Sequence, residues 1–267
     1  MNMEAIEEMK ATPTRNNLPL RLADFSTLAE ALDYAAQGET GFNFYTGTGK
    51  LQSILPYAKL REQAQTLARR LHSLGLERGA RVALVADTTP DFPRFFFACQ
   101  YAGLIPVPLT ASIHLGGHQA YVEQLRRLLT ICQAEVAMAP ADFLPFLTEA
   151  AEGLNLRFAG GPEAFAELPE QTTELHPLQP KEIAYLQYTS GSTRFPRGVV
   201  ITQETVLNNL ADIVTHGVKI RPGDRCLTWL PYYHDMGLVG LVLACLLYTS
   251  PRPRDNQTHL VCRLLLD

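Results

Sequence analysis

From residue 57 to residue 151 the chain alternates amphipathic runs of helical period with short, unbroken apolar runs, and that alternation leaves few folds open. Residues 57–76 place Leu60, Ala64, Leu67, Leu71 and Leu74 on one stripe and stop at Gly75, which predicts a helix with a glycine terminator. Residues 81–86 (RVALVA) form a continuous apolar run of the kind buried on both faces of a parallel sheet. Residues 91–103, 119–132 and 143–151 read as helices, and residues 105–108 and 134–139 as strands. Strands separated by helices pair in parallel, because a parallel connection needs a crossover of a dozen residues or more. The fold class is therefore α/β, with largely parallel sheets flanked by helices on both faces.

Outside this region the signals are shorter. Residues 26–36 predict a helix capped by Ser26, and residues 42–45 and 51–55 predict a hairpin around Gly47 and Gly49. Residues 153–181 hold Gly160, Gly161, Pro162, Pro169, Pro177 and Pro180 and read as a loop-rich hinge between two sub-lobes. The longest apolar run, residues 236–248, falls short of the roughly 18 residues a membrane span needs. It reads as a buried core element. The first 17 residues lack the basic and apolar regions of a signal peptide, so a cytoplasmic location is expected. A net charge of −4, spread along the chain, lends no electrostatic support to nucleic-acid binding. Five dispersed cysteines, never in a CxxC pair, indicate neither a disulfide framework nor a zinc site.

The stretch from Glu182, EIAYLQYTSGSTRFPRGVVI, carries the most chemistry: two β-rich runs bracket a loop dense in glycine, hydroxyls and arginine. Gly191 permits close backbone approach. Thr189, Ser190, Ser192 and Thr193 offer hydroxyl donors, and Arg194 and Arg197 offer planar forks matched to phosphate oxygens. Successive N–H groups in such a turn also form an anion nest, so a triphosphate is the natural ligand. It is not a Walker A loop, because Val199 follows Gly198 where that motif has Lys. On composition alone an ordinary mobile turn is the favoured reading of the loop, and it is the ordered pattern that points elsewhere. A strand over residues 199–201 follows, and the next helix starts at Thr202 with Glu204 in its first turn.

Read in order, Tyr188-Thr189-Ser190-Gly191-Ser192-Thr193 through Pro196-Arg197-Gly198 resembles the phosphate-binding signature of the adenylate-forming superfamily, which holds acyl-CoA synthetases, peptide-synthetase adenylation domains and fatty acyl-AMP ligases. Arg194 stands where most members have Gly, as is common in fatty acyl-AMP ligases, and Arg197 stands where most have Lys. A second stretch, WLPYYHDMGLVG over residues 229–240, is similar to the family's strand, aromatic-His turn and helix beside the acyl pocket. The resemblance implies that His234 lies between nucleotide and carboxylate, with Asp235, Met236, Gly237 and Leu238 on the substrate side. A plain alternative is that His234 and Asp235 only cap the following helix. Residues 57–60, 79–84 and 95–109 are similar to early scaffold motifs, and the Phe95–Phe97 cluster reads as core.

The resemblance covers about residues 25–244 and implies the following activity. Arg197 and His234 are the catalytic residues; Thr189, Ser190, Gly191, Ser192, Thr193, Arg197 and Gly198 hold ATP; Mg²⁺ is the implied cofactor; and a fatty acid is the substrate, with acyl carrier protein or CoA as acceptor. An acyl-CoA synthetase and a non-catalytic binding fragment are the competing readings. Family features beyond this point, including a magnesium-holding acid and a catalytic Lys on a small C-terminal domain, have no match here, so residues 1–244 are expected to be the N-terminal part of the large domain. Residues 245–255 (CLLYTSPRPRD) resemble a translated sequencing-library adapter with Arg252 in place of Ser, and residues 259–266 resemble its other end. Residues 245–267 are accordingly expected to be a non-native tail.

Overall fold

The structure, a computed structural model, describes residues 21, 24–112, 117–189, 197–219 and 226–247 and the backbone of 260–263; Thr189 is described by its backbone alone. Helix α1 (Leu28–Ala35) is capped by Thr27, whose hydroxyl accepts from the Glu30 N–H at 3.1 Å. The cap is thus one residue later than the sequence suggested, because the Glu30 carboxylate reaches back to the Ser26 N–H at 2.8 Å and leaves Thr27 to face the first turn. Strands β1 (Gly41–Tyr45) and β2 (Leu51–Pro56) form the expected antiparallel hairpin. Helix α2 (Tyr57–His72) buries Tyr57, Leu60, Ala64, Ala68 and Leu71, and the chain turns at Gly75 with φ +63°.

The α/β alternation then appears as read. Strand β3 (Arg81–Val85) leads through α3 (Asp91–Ala102) to β4 (Ile105–Leu109); α4 (Gly117–Cys132) leads to β5 (Val136–Met138); and α5 (Leu144–Ala151) leads to β6 (Phe158–Gly160) and the short α6 (Pro162–Ala166). These strands make one all-parallel sheet in the order β4-β3-β5-β6. The Phe95–Phe97 cluster lies in the buried core, as expected. The stretch read as a hinge instead contains β6 and α6, with Phe165 fully buried, so part of it belongs to the sheet. Its remainder is tied down by Arg78, which donates to the Glu182 carboxylate at 2.5 and 2.7 Å and to the carbonyls of His176 and Pro177 at 2.7 and 2.8 Å. That pairing holds the Glu182 carboxyl below its ordinary range, so its contribution is complete at neutral pH and lost as acid protonates it. Both side chains are over one-third exposed, which keeps the contribution small.

β4 is the edge of this sheet for a covalent reason. Ile105 donates to Ala80 and Leu109 accepts from Ala86, so residues 105 and 109 face β3 and the alternate residues, Pro106 and Pro108, face outward. Neither proline carries an N–H, so no regular ladder continues on that side. Strand β7 (Ile183–Thr189) lies beside β4 without joining its ladder and pairs instead with β8 (Arg197–Thr202). Helix α7 (Gln203–Asp212) follows directly, capped by Thr202 as predicted. Strand β9 (Leu227–Thr228) precedes a helical segment made of α8 (Asp235–Gly237), a π-helical stretch (Leu238–Leu243) and α9 (Ala244–Leu247). Strand β10 (Leu260–Arg263) lies parallel between β1 and β9. It falls within the stretch expected to be a tail; its run Leu260–Val261–Cys262 is β-prone, and the open edges of β1 and β9 pair with such a strand.

The elements that carry the sequence motifs are joined to the scaffold by two fully buried glutamines. Gln100 of α3 donates to the Ala184 carbonyl of β7 at 2.8 Å, and Gln203 of α7 donates to the Gln100 amide oxygen at 2.7 Å. The Gln203 oxygen accepts from the Leu28 N–H at the start of α1 at 2.9 Å. Replacing Gln203 with Leu strands a buried N–H and a buried amide oxygen together. The expected cost is about 2–4 kcal/mol, read as a lower urea midpoint; a midpoint within experimental error of the parent contradicts the role assigned to the pair.

Candidate nucleotide and carboxylate site

Strands β7 and β8 are the two walls of the loop singled out by the sequence, with Thr189 opposite Arg197, Tyr188 opposite Gly198 and Gln187 opposite Val199. Ser190, Gly191, Ser192, Thr193 and Arg194 lie outside the described residues. Arg197, the first residue of β8, is exposed and has no carboxylate partner among the described residues. Gly198 lies close under its neighbour: a Cβ there would sit 3.0 Å from Cζ of the Tyr188 ring, so the ring would have to shift slightly to admit one. The loop therefore joins an antiparallel pair whose second strand opens on an exposed guanidinium.

The second motif folds as a turn and the start of a helix. His234 is extended, at φ −99° and ψ 142°, and its carbonyl accepts the Leu238 N–H at 2.9 Å to open the helix. The Asp235 carboxylate accepts from the Met236 N–H at 2.7 Å and lies 2.6 Å from His234 Nδ1. At 3.4 Å the competing contact from that N–H to His234 Nδ1 is the weaker one, so Nδ1 is best satisfied by donating to Asp235. The helix-capping geometry anticipated as an alternative is thus present. It leaves the imidazole exposed, with no partner recorded for Nε2 among the described residues. Gly237 packs onto the Pro231 carbonyl, where a Cβ would also meet the carbonyl oxygen of Leu230 at 3.1 Å.

Beyond Gly237 the helix widens to the π form over Leu238–Leu243. Leu238, Val242 and Leu243 are packed into the main core. Met236 is 56% exposed and, with Val239, faces a cleft of about 320 Å³ whose opposite wall is Tyr185, Gln187 and Val199. Asp235 is the one ionised side chain among its lining residues. Of the residues read as substrate-facing, Asp235 and Met236 line this cleft, whereas His234, Gly237 and Leu238 do not. Burial, with a smaller push from Asp235, holds the Tyr185 phenol well above its ordinary value, so this wall stays neutral. The structure thereby sets strand residues next to Gly198 and helix residues next to His234 on facing walls of one mainly apolar cleft.

Gln187 joins the two motifs directly and was not singled out by the sequence. Its Nε2 donates to the Tyr233 carbonyl at 2.6 Å, one residue before His234, while its Oε1 is buried with no partner among the described residues. The available signal was a polar residue at an inward position of an apolar strand, which needs a hydrogen-bonding reason to be there. Among the described residues no group of three or more His, Cys, Asp or Glu forms a metal cage. Magnesium carried by a nucleotide needs no such cage, because waters and phosphate oxygens supply most of its ligands.

Residues 35–250 match the family model described as AMP-binding enzyme. The chain belongs to that family. An E. coli or L. pneumophila chain from a structural and functional study of fatty acyl-adenylate ligases superposes on this AMP-binding chain with a TM-score of 0.84 and 44% identity, covering 92% of it and 43% of that chain. A Caulobacter vibrioides protein named, provisionally, as an acyl-CoA synthetase is 44% identical over 238 residues, 89% of this chain and 41% of that protein. A long-chain-fatty-acid–AMP ligase of Mycolicibacterium smegmatis, FadD32, is 34% identical over 213 residues, 76% of this chain and 32% of that protein. The chain thus spans about two-fifths or less of the length of these curated relatives. The α/β architecture is that of the first part of their common large domain. No helix among the described residues is long and apolar enough to cross a membrane.

If Gln187 holds the His234 turn against β7, Gln187→Leu should loosen that turn selectively. Amide hydrogen exchange at residues 232–238 is expected to quicken by roughly fivefold to tenfold, the loss of one hydrogen bond worth about 1 kcal/mol, while exchange in α4 stays at the parent rate. Unchanged exchange at residues 232–238 contradicts the link.

Proposed function

We propose that this chain supplies the phosphate loop and the carboxylate-orienting turn of an ATP-dependent fatty acyl-AMP ligase. The observation that supports the reading is a shared, mainly apolar cleft lined by residues next to both motifs, Gln187 and Val199 from the strand pair and Asp235 and Met236 from the turn after His234. The kinship with fatty acyl-adenylate ligases and fatty-acid–AMP ligases supports it.

In this reading a carboxylate oxygen of the fatty acid attacks the α-phosphorus of ATP. The bond from that phosphorus to the bridging oxygen of pyrophosphate breaks, and acyl-adenylate and pyrophosphate form with no net proton change in the step. A free carboxylate is a poor electrophile; the mixed anhydride is one that a thiol can open. Negative charge moves onto the leaving pyrophosphate, so the protein's task is to hold preorganised donors there. Arg197 takes that role, with Thr189, Ser190, Ser192 and Thr193 around the β and γ phosphates and Gly191 and Gly198 permitting the backbone to approach. Magnesium, when bound to the nucleotide, neutralises phosphate charge. His234, with Nδ1 turned to Asp235, directs Nε2 toward the carboxylate, and the helix from Met236 to Val242 flanks the acyl chain. A cytoplasmic location goes with this reading, since ATP is the co-substrate.

Arg194 and the His-Asp-Met-Gly-Leu wording favour release of the acyl group to a carrier-protein thiol. A CoA ligase is the second reading, favoured by the name of the Caulobacter relative. Assaying the complete product of the gene with each acceptor separates them: acyl-adenylate that persists in the presence of CoA supports the first, and rapid conversion to acyl-CoA supports the second.

In that protein Arg197→Ala should lower fatty-acid-dependent pyrophosphate exchange by on the order of a hundredfold, the loss of one preorganised donor worth about 3 kcal/mol. Exchange near the parent rate removes Arg197 from the mechanism. His234→Ala should depress turnover and raise the KM for the acid while shifting stability by less than about 1 kcal/mol. The reverse pattern, lost stability with intact kinetics, assigns His234 to capping alone.

A further inference from the structure

Tyr185 lines the cleft between β7–β8 and the Met236 helix but takes no part in the chemistry assigned there. The residue is only 2% exposed, with its ring packed on Phe96 at 5.9 Å between centroids. No hydrogen bond engages its hydroxyl among the described residues, yet that oxygen, unlike Oε1 of Gln187, is not sealed from solvent. A buried phenol normally finds a partner, so an unpaired one that opens on a cleft keeps its hydrogen bond for what enters.

The surroundings define that partner. The charge of Asp235 reaches the phenol without a hydrogen bond between the two, and burial keeps the phenol neutral and able to donate. The Asp235 carboxylate accepts from the Met236 N–H and faces His234 Nδ1, and its roughly four lone-pair positions leave room for a further donor. A hydroxyl serves both neighbours, accepting from the phenol and donating to the carboxylate, whereas a keto oxygen only accepts.

Register sets where that hydroxyl lies. Residues 185 and 187 share one face of β7, roughly 7 Å apart. Gln187 stands level with the His234 turn through the Tyr233 carbonyl, and Tyr185 lies beyond it, on the side away from Thr189 and the proposed phosphate loop. The hydroxyl therefore belongs part-way along the acyl chain rather than beside the carboxylate.

We propose that the acid taken by this cleft is a hydroxy fatty acid, whose mid-chain hydroxyl accepts from Tyr185 and donates to Asp235. The inference rests on the reading of the chain as part of an acyl-AMP ligase. An unsubstituted chain would strip water from the phenol and return no hydrogen bond, a loss that a site built to bind a hydroxyl penalises.

The test measures acid-dependent pyrophosphate exchange by the complete product of the gene with dodecanoic acid and its 2-, 5-, 6- and 7-hydroxy derivatives. The best of the 5-, 6- and 7-hydroxy acids is expected to exceed both dodecanoic acid and the 2-hydroxy acid in kcat/KM by about tenfold, the ratio one hydrogen bond confers. Tyr185→Phe should bring that ratio close to one. Equal kcat/KM for dodecanoic acid and the hydroxy acids, the result if water alone serves the phenol, overturns the proposal and leaves the acyl-AMP ligase reading standing. A preference that Tyr185→Phe leaves intact also overturns it. Exchange with none of the acids overturns both. If Tyr185→Phe fails to fold, the ratio on the parent protein decides alone.

Discussion

Two buried amides, those of Gln100 and Gln203, hold together four pieces of chain that hydrophobic burial alone would leave free to slide. Apolar contacts fix how close α1, α3, α7 and β7 come but not their register, since burial is non-directional. The amide pair supplies direction: each group has a particular partner, Ala184 on β7, Leu28 on α1, or the other amide. Because the donors and acceptors used are fully buried, a shift of one residue would leave them unpaired in a low-dielectric interior, at a cost of several kcal/mol. Strand β7, which enters the proposed phosphate loop, and helix α7, which follows β8, therefore occupy a defined place relative to the parallel sheet.

The second determinant is the edge left by Pro106 and Pro108. Without those N–H groups the parallel sheet cannot grow past β4, and β7 takes β8 as its partner instead. An antiparallel pair is what a phosphate-holding loop of the proposed kind needs: two walls, with the exposed Arg197 where the strand re-emerges. Gln187 extends this arrangement to the His234 turn through the Tyr233 carbonyl. The chain of dependence thus runs from an amide pair in the core, through one strand, to both walls of a single cleft.

Much of this was legible in the sequence, for physical reasons that also explain the exceptions. The periodicity of α2 and the continuous apolar runs of β3 and β4 report burial on one face or on two, and those elements appear within a few residues of the expected positions. The stretch from 153 to 181 misled because glycine and proline dominate it, yet three residues of β-strand are enough to extend a sheet whose edge is already formed. The identity of the first helix cap turned on where the Glu30 carboxylate goes, which composition does not encode. At the site, Arg197, Gly198 and His234 were visible as chemistry-bearing residues in an ordered pattern. Leu238 was assigned to the substrate side, but the widened π-helical turn that begins there places it in the core, and Met236 and Val239 face the cleft instead. Gln187 was passed over because its significance lies in a contact 46 residues away.

If the cleft between β7–β8 and the Met236 helix joins a carboxylate to the α-phosphorus of ATP, an oxygen of the acid must end on AMP. The most direct measurement follows the oxygen. The complete product of the gene is incubated with ATP and a fatty acid labelled with ¹⁸O in its carboxylate, and the acyl-adenylate is cleaved by hydroxylamine at its carbonyl. Attack by the carboxylate on phosphorus leaves the bridging ¹⁸O on AMP, so labelled AMP and unlabelled pyrophosphate are the predicted products. AMP without label, or label in pyrophosphate or orthophosphate, would contradict the account.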